Sequence, residues 1–318
     1  MFRITSLLAI VAMLSAHVAA FAADKAIIKR GYVDSPYGQV HYMKATPPKG
    51  SKQKTPHLIL FHQSPNSSVE YTKLVEELGK DRVVLALDTP GHGGSDGPKE
   101  IPTIEDYAAA LKVALKNLGY GPKRPFDAFG FHTGSRIVAE LAVTEPKMIR
   151  RVMMGLSGAS VLPPEEMAKF LNSLYHPTSS EDAFRVFIEQ LPGRVKLRDQ
   201  WNIDDEFWGR MVVERLRHLT RYEYGHAAAF EYGQRFDARL AQITQPVSLI
   251  VIDDGTKGSA MGAGTFKYSP REMSEKVVGM LTSSKHAKVL PEDFTLADLY
   301  SDASALAEAF RRFQDEQL

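Results

Sequence analysis

Apolar residues along this chain fall into short continuous runs, separated by stretches in which they recur at helical spacing. Runs of roughly four to eight apolar residues between turn residues read as buried strands, and longer periodic stretches as amphipathic helices. Segments 26–33 and 39–44, joined by Pro36-Tyr37-Gly38, predict an opening antiparallel hairpin. His57-Leu58-Ile59-Leu60-Phe61 predicts a buried strand, followed by a helix carrying Leu74, Val75 and Leu78. Further strands are predicted over 82–87, 126–131, 151–156, 247–252 and 286–290. Ile104, Tyr107, Leu111, Leu115 and Leu118 mark one face of a helix opened by Thr103 and stopped at Gly119. A helix over 135–144 carries Ile137, Val138, Leu141 and Ala142, and Leu306, Phe310 and Phe313 line a closing helix. Strands alternating with helices predict an α/β fold with a mostly parallel central sheet flanked by helices.

The alternation is interrupted over 161–245. This helix-rich stretch holds both tryptophans, Trp201 and Trp208, and separates two predicted core strands by about 90 residues, far more than an ordinary connection. It predicts an inserted helical cap over the C-terminal edge of the sheet, with the core formed by 23–160 and 246–318. Residues 1–22 fall outside both. Met1-Phe2-Arg3, an apolar run over 7–14 and Ala20-Phe21-Ala22 read as a secretory signal peptide with its cleavage site. A retained N-terminal anchor is the alternative, although the run is short for a bilayer. The expectation is a periplasmic or secreted protein with no stable membrane association after cleavage.

Composition narrows the chemistry. The chain has 39 basic and 38 acidic residues, and one basic residue, Arg3, lies in the signal segment, so the mature chain is formally neutral. No electrostatic footprint for nucleic acid is present. Without cysteine there is no disulfide, thiol nucleophile or thiolate metal site. A small-molecule substrate or ligand is the expected partner, and the oligomeric state is left open.

The segment Gly130-Phe131-His132-Thr133-Gly134 carries the most chemical information. It reads as a G-x-nucleophile-x-G elbow, a strained strand-to-helix turn that lifts its central side chain above the sheet edge. Histidine stands where serine, cysteine or aspartate is usual. Two other segments end consecutive predicted strands: His62-Gln63-Ser64-Pro65, and Asp88-Thr89-Pro90-Gly91-His92-Gly93-Gly94-Ser95. With the elbow they resemble the α/β-hydrolase superfamily, in a branch patterned HQxPxS, DTPGxGxS and GxHTG.

The resemblance implies an oxyanion site built from the backbone N–H groups of Gln63 and Thr133, with no cofactor. His62, Ser64 and Asp88 are implied as supporting residues, Asp88 and His92 in a scaffold role. The acid position follows the strand 247–252, where Asp253 and Asp254 stand. The base position follows the last strand, where Pro291-Glu292-Asp293 holds no histidine, and His286 lies at the wrong end of that strand.

His132 is therefore expected to merge two roles, with Asp253 or Asp254 orienting its ring. It would act as a base toward water, or as a nucleophile, on an ester, lactone or related acyl carbon. A non-catalytic ligand-binding protein and a cofactor-free lyase remain the alternatives. A metal on His62, His92 and His132 lacks ligand spacing to support it. Ser64, Ser135 and Ser157 are possible displaced nucleophiles, each more simply explained as loop or capping residues.

Overall fold

A computed structural model describes residues 25–51, 53–156, 165, 179–221, 223–253 and 269–317. The predicted signal peptide, the first part of the predicted cap, Ser157 and Asp254 lie outside these residues. Eight strands form one sheet in the order β1-β2-β4-β3-β5-β6-β7-β8. They are β1 (Ile27–Ser35), β2 (Gly38–Thr46), β3 (Lys54–Phe61), β4 (Arg82–Leu87), β5 (Phe126–Phe131), β6 (Ile149–Gly155), β7 (Val247–Asp253) and β8 (Ala287–Thr295). β2 runs antiparallel to β1 and β4, and every other pairing is parallel. β4 and β5 are buried at every residue, which is why their sequences are continuous apolar runs rather than alternating ones.

Helices cover both faces. On one side α2 (Ile104–Asn117) and α3 (Thr133–Thr144) place Leu111, Leu115, Ile137 and Val138 against Ile59, Ala128 and Val152. On the other, α1 (Thr72–Leu78) and the C-terminal helix set Leu74, Leu78 and Phe310 against Leu60 and Phe129. The Phe129 and Phe310 rings meet edge to face at 4.8 Å. Thr103 caps α2 through a reciprocal box with Asp106.

Among the described residues, four more helices lie between β6 and β7: α4 (Ser180–Gln200), α5 (Asp205–Leu216), α6 (Tyr224–Glu231) and α7 (Gly233–Leu240). The predicted 286–290 strand runs on as β8 to Thr295. Leu249 pairs with Val289 but Val251 with Asp293, so a bulge absorbs Pro291, which has no N–H for the ladder. A helix absent from the sequence reading, α8 (Pro270–Met280), precedes β8, capped by Ser269 and Glu272. After β8 come α9 (Leu296–Tyr300) and α10 (Ser304–Asp315).

Polar contacts bind the inserted helices to the core. Buried Glu140 of α3 accepts a hydrogen bond from Tyr232 at 2.6 Å and pairs with Arg239 at 2.8 Å. His218 donates to the Gly93 carbonyl at 3.0 Å, and Arg235 pairs with Glu105 at 2.8 Å. At a third seam, Arg215 Nε of α5 donates to Asn66 Oδ1 at 2.9 Å. Asn66 Nδ2 in turn donates to Glu70 Oε2 at 2.7 Å. Glu70 is fully buried, and also accepts from Gln63 Nε2 at 3.2 Å and Tyr300 Oη at 3.5 Å. Burial pushes its carboxyl up to about 7, against the opposing hydrogen bonds of Asn66 and Gln63.

The Glu70 shift has a defined pH signature. Below pH 4.5 the carboxyl is protonated in both folded and unfolded chains; between 4.5 and about 7 only the folded chain keeps the proton. The stability that Glu70 contributes is therefore full at low pH and lost as pH rises through that window, by about 3 kcal/mol. Urea unfolding of wild type and Glu70→Gln across this range is expected to show that slope in wild type and not in the variant. Phe310→Ala removes the ring buried against Phe129 and is expected to lower unfolding stability by about 3–5 kcal/mol, read in the same titration.

Candidate active site

At the end of β5 the chain turns sharply into α3, and His132 makes the turn with φ 48° and ψ −109°. Few residues with a β-carbon adopt this conformation, and holding one there costs about 1–3 kcal/mol. The surroundings impose it. His132 N–H donates to the Gly155 carbonyl at 2.9 Å, and the Ser135 N–H donates to the His132 carbonyl at 3.0 Å. Ser135 Oγ lies 2.6 Å from the Gly130 carbonyl and 3.0 Å from that of Gly155, so this serine ties the ends of β5 and β6 together.

The flanking glycines leave no alternative. A β-carbon on Gly130 would stand 2.2 Å from the Gly134 carbonyl oxygen, and one on Gly134 only 2.0 Å from that of Phe61. The tight turn at His132 is thus sterically enforced by the fold. The His132 ring is half-buried and lies edge-on to Phe131, with centroids 4.2 Å apart.

Thr133 is the first residue of α3 and is buried. Its N–H belongs to the first turn, where backbone donors lack intrahelical acceptors and the helix dipole favours negative charge. Gln63 behaves differently. Its N–H donates to Glu70 Oε1 at 2.9 Å, so the donor that the sequence reading assigned to an oxyanion is committed inside the protein. Among the described residues, no acceptor meets the N–H of Ser64, the next along the same loop.

The supporting residues are built into the loops. His62 Nδ1 faces the Gln63 carbonyl at 2.8 Å while its Nε2 receives the Thr89 N–H at 2.8 Å. These two bonds require a neutral ring with the proton on Nδ1, and burial lowers its pKa in the same direction. The buried Asp88 carboxylate accepts the N–H groups of Ser68 at 2.6 Å and Gly94 at 2.8 Å, and meets His41 Nδ1 at 2.8 Å. Burial opposes its charge, but these bonds hold its pKa below the ordinary range. These bonds tie Asp88 to its own loop, to the loop after β3 and to β2.

Asp253 is the last residue of β7, opposite Thr295, and is exposed. Its neighbour Asp254 lies outside the described residues. After β8 the chain enters α9, bringing buried Tyr300 rather than a histidine to that edge. Among the described residues, no group of three or more His, Asp or Glu side chains is placed to hold a metal ion.

Sequence reasoning passed over two features. One is the Gln63-Asn66-Glu70-Tyr300-Arg215 network, whose members lie in separate segments with no common motif. The other is Arg136, buried on the elbow helix, stacked 5.3 Å from the Phe236 centroid and donating to the His132 carbonyl at 3.4 Å. Burial lowers its pKa to about 10. A charged residue on the buried face of an otherwise apolar helix was its only sequence signal.

Residues 56–193 match a family model described as alpha/beta hydrolase fold. Solved structures of similar shape include an epoxide hydrolase from Vigna radiata, with a TM-score of 0.65 at 14% identity over 91% of this chain and 98% of that one. A malate-bound thermophilic esterase from Thermogutta terrifontis superposes with a TM-score of 0.58 at 17% identity, over 90% and 98% of the two chains. An N-acyl homoserine lactonase gives 0.59 at 18% identity, over 92% and 98%. Sheet order, elbow and family match agree, and the chain has the α/β-hydrolase fold.

Proposed function

We propose that this protein is an exported hydrolase of a small ester, lactone or related organic substrate, with His132 as its central reactive group. The strained backbone of His132 carries this reading. A turn held at φ 48° by two flanking glycines and a bridging serine serves no packing need that a glycine at position 132 would not meet better. Its function is to aim the side chain.

In this reading the substrate's carbonyl oxygen turns toward the Thr133 N–H at the start of α3, with Ser64 N–H as the second donor in place of Gln63. The imidazole then acts as base toward a water molecule, or attacks the carbonyl carbon directly. In the first case the water oxygen bonds to carbon, its proton passes to the imidazole, and collapse returns that proton to the leaving oxygen. In the second, a ring nitrogen bonds to the acyl carbon as the C–O bond breaks, and the leaving alkoxide takes the proton that the acylated ring gives up; water then adds to the acyl-imidazole, releasing the carboxylic acid and the free imidazole. Asp253 or Asp254 is the proposed orienting carboxylate. The inserted helices are the proposed cap, and residues 1–22 the proposed export signal. The esterase and lactonase of similar fold act on acyl compounds by name, which supports this substrate class as a starting panel.

Two variants test the proposal together on the purified mature protein. His132→Ala is expected to lower turnover of p-nitrophenyl acetate or a simple γ-lactone by about a thousand-fold. Turnover equal to wild type sinks the reading and leaves a ligand-binding protein of the same fold. His132→Gly is expected to lose turnover equally while unfolding stability rises by about 1 kcal/mol, because glycine relieves the strain. A loss of stability in that variant would instead assign the histidine a structural role.

A further inference from the structure

Three buried polar atoms in one neighbourhood have no hydrogen-bond partner among the described residues: Ser64 Oγ, His92 Nε2 and Tyr107 Oη. Their residues are 6%, 4% and 0% exposed. The His92 ring lies between His62, at 5.4 Å, and Tyr107, at 6.3 Å. An unmet buried polar atom costs about 1–3 kcal/mol, so three adjacent ones imply an occupant, water or ligand.

Two of the atoms lie against the same residue, Gly225 of α6. A β-carbon on Gly225 of α6 would stand 1.8 Å from Ser64 Oγ and 3.0 Å from His92 Nε2. The two atoms are therefore within about 5 Å of one another, a span that one bridging oxygen can close. This place is beside the elbow. Gly134 presses on the carbonyls of Phe61 and His62, two residues before Ser64, while Ala228 and Ala229 of α6 share a core with Ile137 and Val138 of the elbow helix. Only glycine at 225 lets α6 approach Ser64 Oγ and His92 Nε2 this closely.

The donor and acceptor pattern selects the occupant. His92 Nδ1 faces the Pro90 carbonyl at 3.4 Å, which places the ring proton on Nδ1 and leaves Nε2 as an acceptor. Burial lowers the His92 pKa to about 3, so the ring stays neutral. Ser64 Oγ can donate. A group that bridges them must give a hydrogen bond to nitrogen and accept one from oxygen, and a hydroxyl does both. A carboxylate or ketone would set its lone pairs against that of Nε2.

We propose that Ser64 Oγ and His92 Nε2 form a specificity subsite for a hydroxyl group of the substrate, occupied by water in the free protein. The subsite rests on the reading of the elbow as a reaction centre, and names the class of compound that centre takes: hydroxylated acyl compounds rather than plain ones.

Paired esters differing in one hydroxyl test this: methyl lactate against methyl propanoate, and methyl glycolate against methyl acetate. Wild type is expected to favour a hydroxylated member by about ten-fold in kcat/KM, the value of one buried hydrogen bond. Ser64→Ala and His92→Phe are each expected to bring that ratio close to one. Gly225→Ala, whose β-carbon would stand 1.8 Å from Ser64 Oγ and push it away from His92, is expected to do the same with both polar side chains retained. If none of the esters turns over, the same pairs are compared as ligands by the rise in thermal midpoint, so the subsite can stand where hydrolysis fails. Equal preference within both pairs in wild type overturns the proposal, as does a preference that persists in Ser64→Ala.

Discussion

The left-handed backbone of His132 is the constraint on which the site depends. It exists because the elbow helix approaches β5 at Gly130 and the end of β3 at Gly134 too closely for β-carbons, and because Ser135 closes the ends of β5 and β6 together. Strain of this kind persists only where the surrounding structure over-determines it. Here the determinants are the fully buried β5, the parallel pairing with β3 and β6, and the apolar face of α3 against the sheet. The side chain is thus positioned by the core of the protein rather than by a mobile loop.

The loop after β3 is the second organiser. Its carbonyls at Phe61 and His62 receive the elbow helix, and His62 reaches across to the Thr89 N–H of the neighbouring loop. Its Gln63 and Asn66 side chains close on buried Glu70, and Asn66 links that carboxylate to Arg215 of the inserted helices. Core, elbow helix and insertion therefore meet within the six residues from Phe61 to Asn66. The inserted helix α5 and this loop are linked through one buried carboxyl, which burial raises to about 7.

Much of this was legible in the sequence, for physical reasons that also explain the exceptions. Buried strands such as β4 and β5 must be apolar throughout, and Thr103 with Asp106 announces the start of α2, so those elements were readable. The elbow was readable because only glycine satisfies its contacts. β8 was read too short because a bulge carries the strand past Pro291, and bulges have no pattern of their own. The α8 helix was passed over although Ser269-Pro270-Arg271-Glu272 is a capping signature, because its apolar face is sparse. Gln63 was assigned to the oxyanion site because spacing locates a residue but not the direction of its N–H. That direction is set by Glu70, seven positions away and buried. Asp88, by contrast, accepts N–H groups of its own and the neighbouring loop, as an aspartate opening a glycine-rich loop can.

The account stands on His132 and the start of α3 forming one reaction centre. Its most direct test is the crystal structure of the mature protein with a bound alkylphosphonate, a tetrahedral mimic of acyl transfer. The expected result is a phosphonate at the elbow, with one oxygen about 3 Å from the Thr133 nitrogen and the His132 ring facing phosphorus. A phosphonate bound elsewhere, or none at the elbow at saturating concentration, would contradict the account.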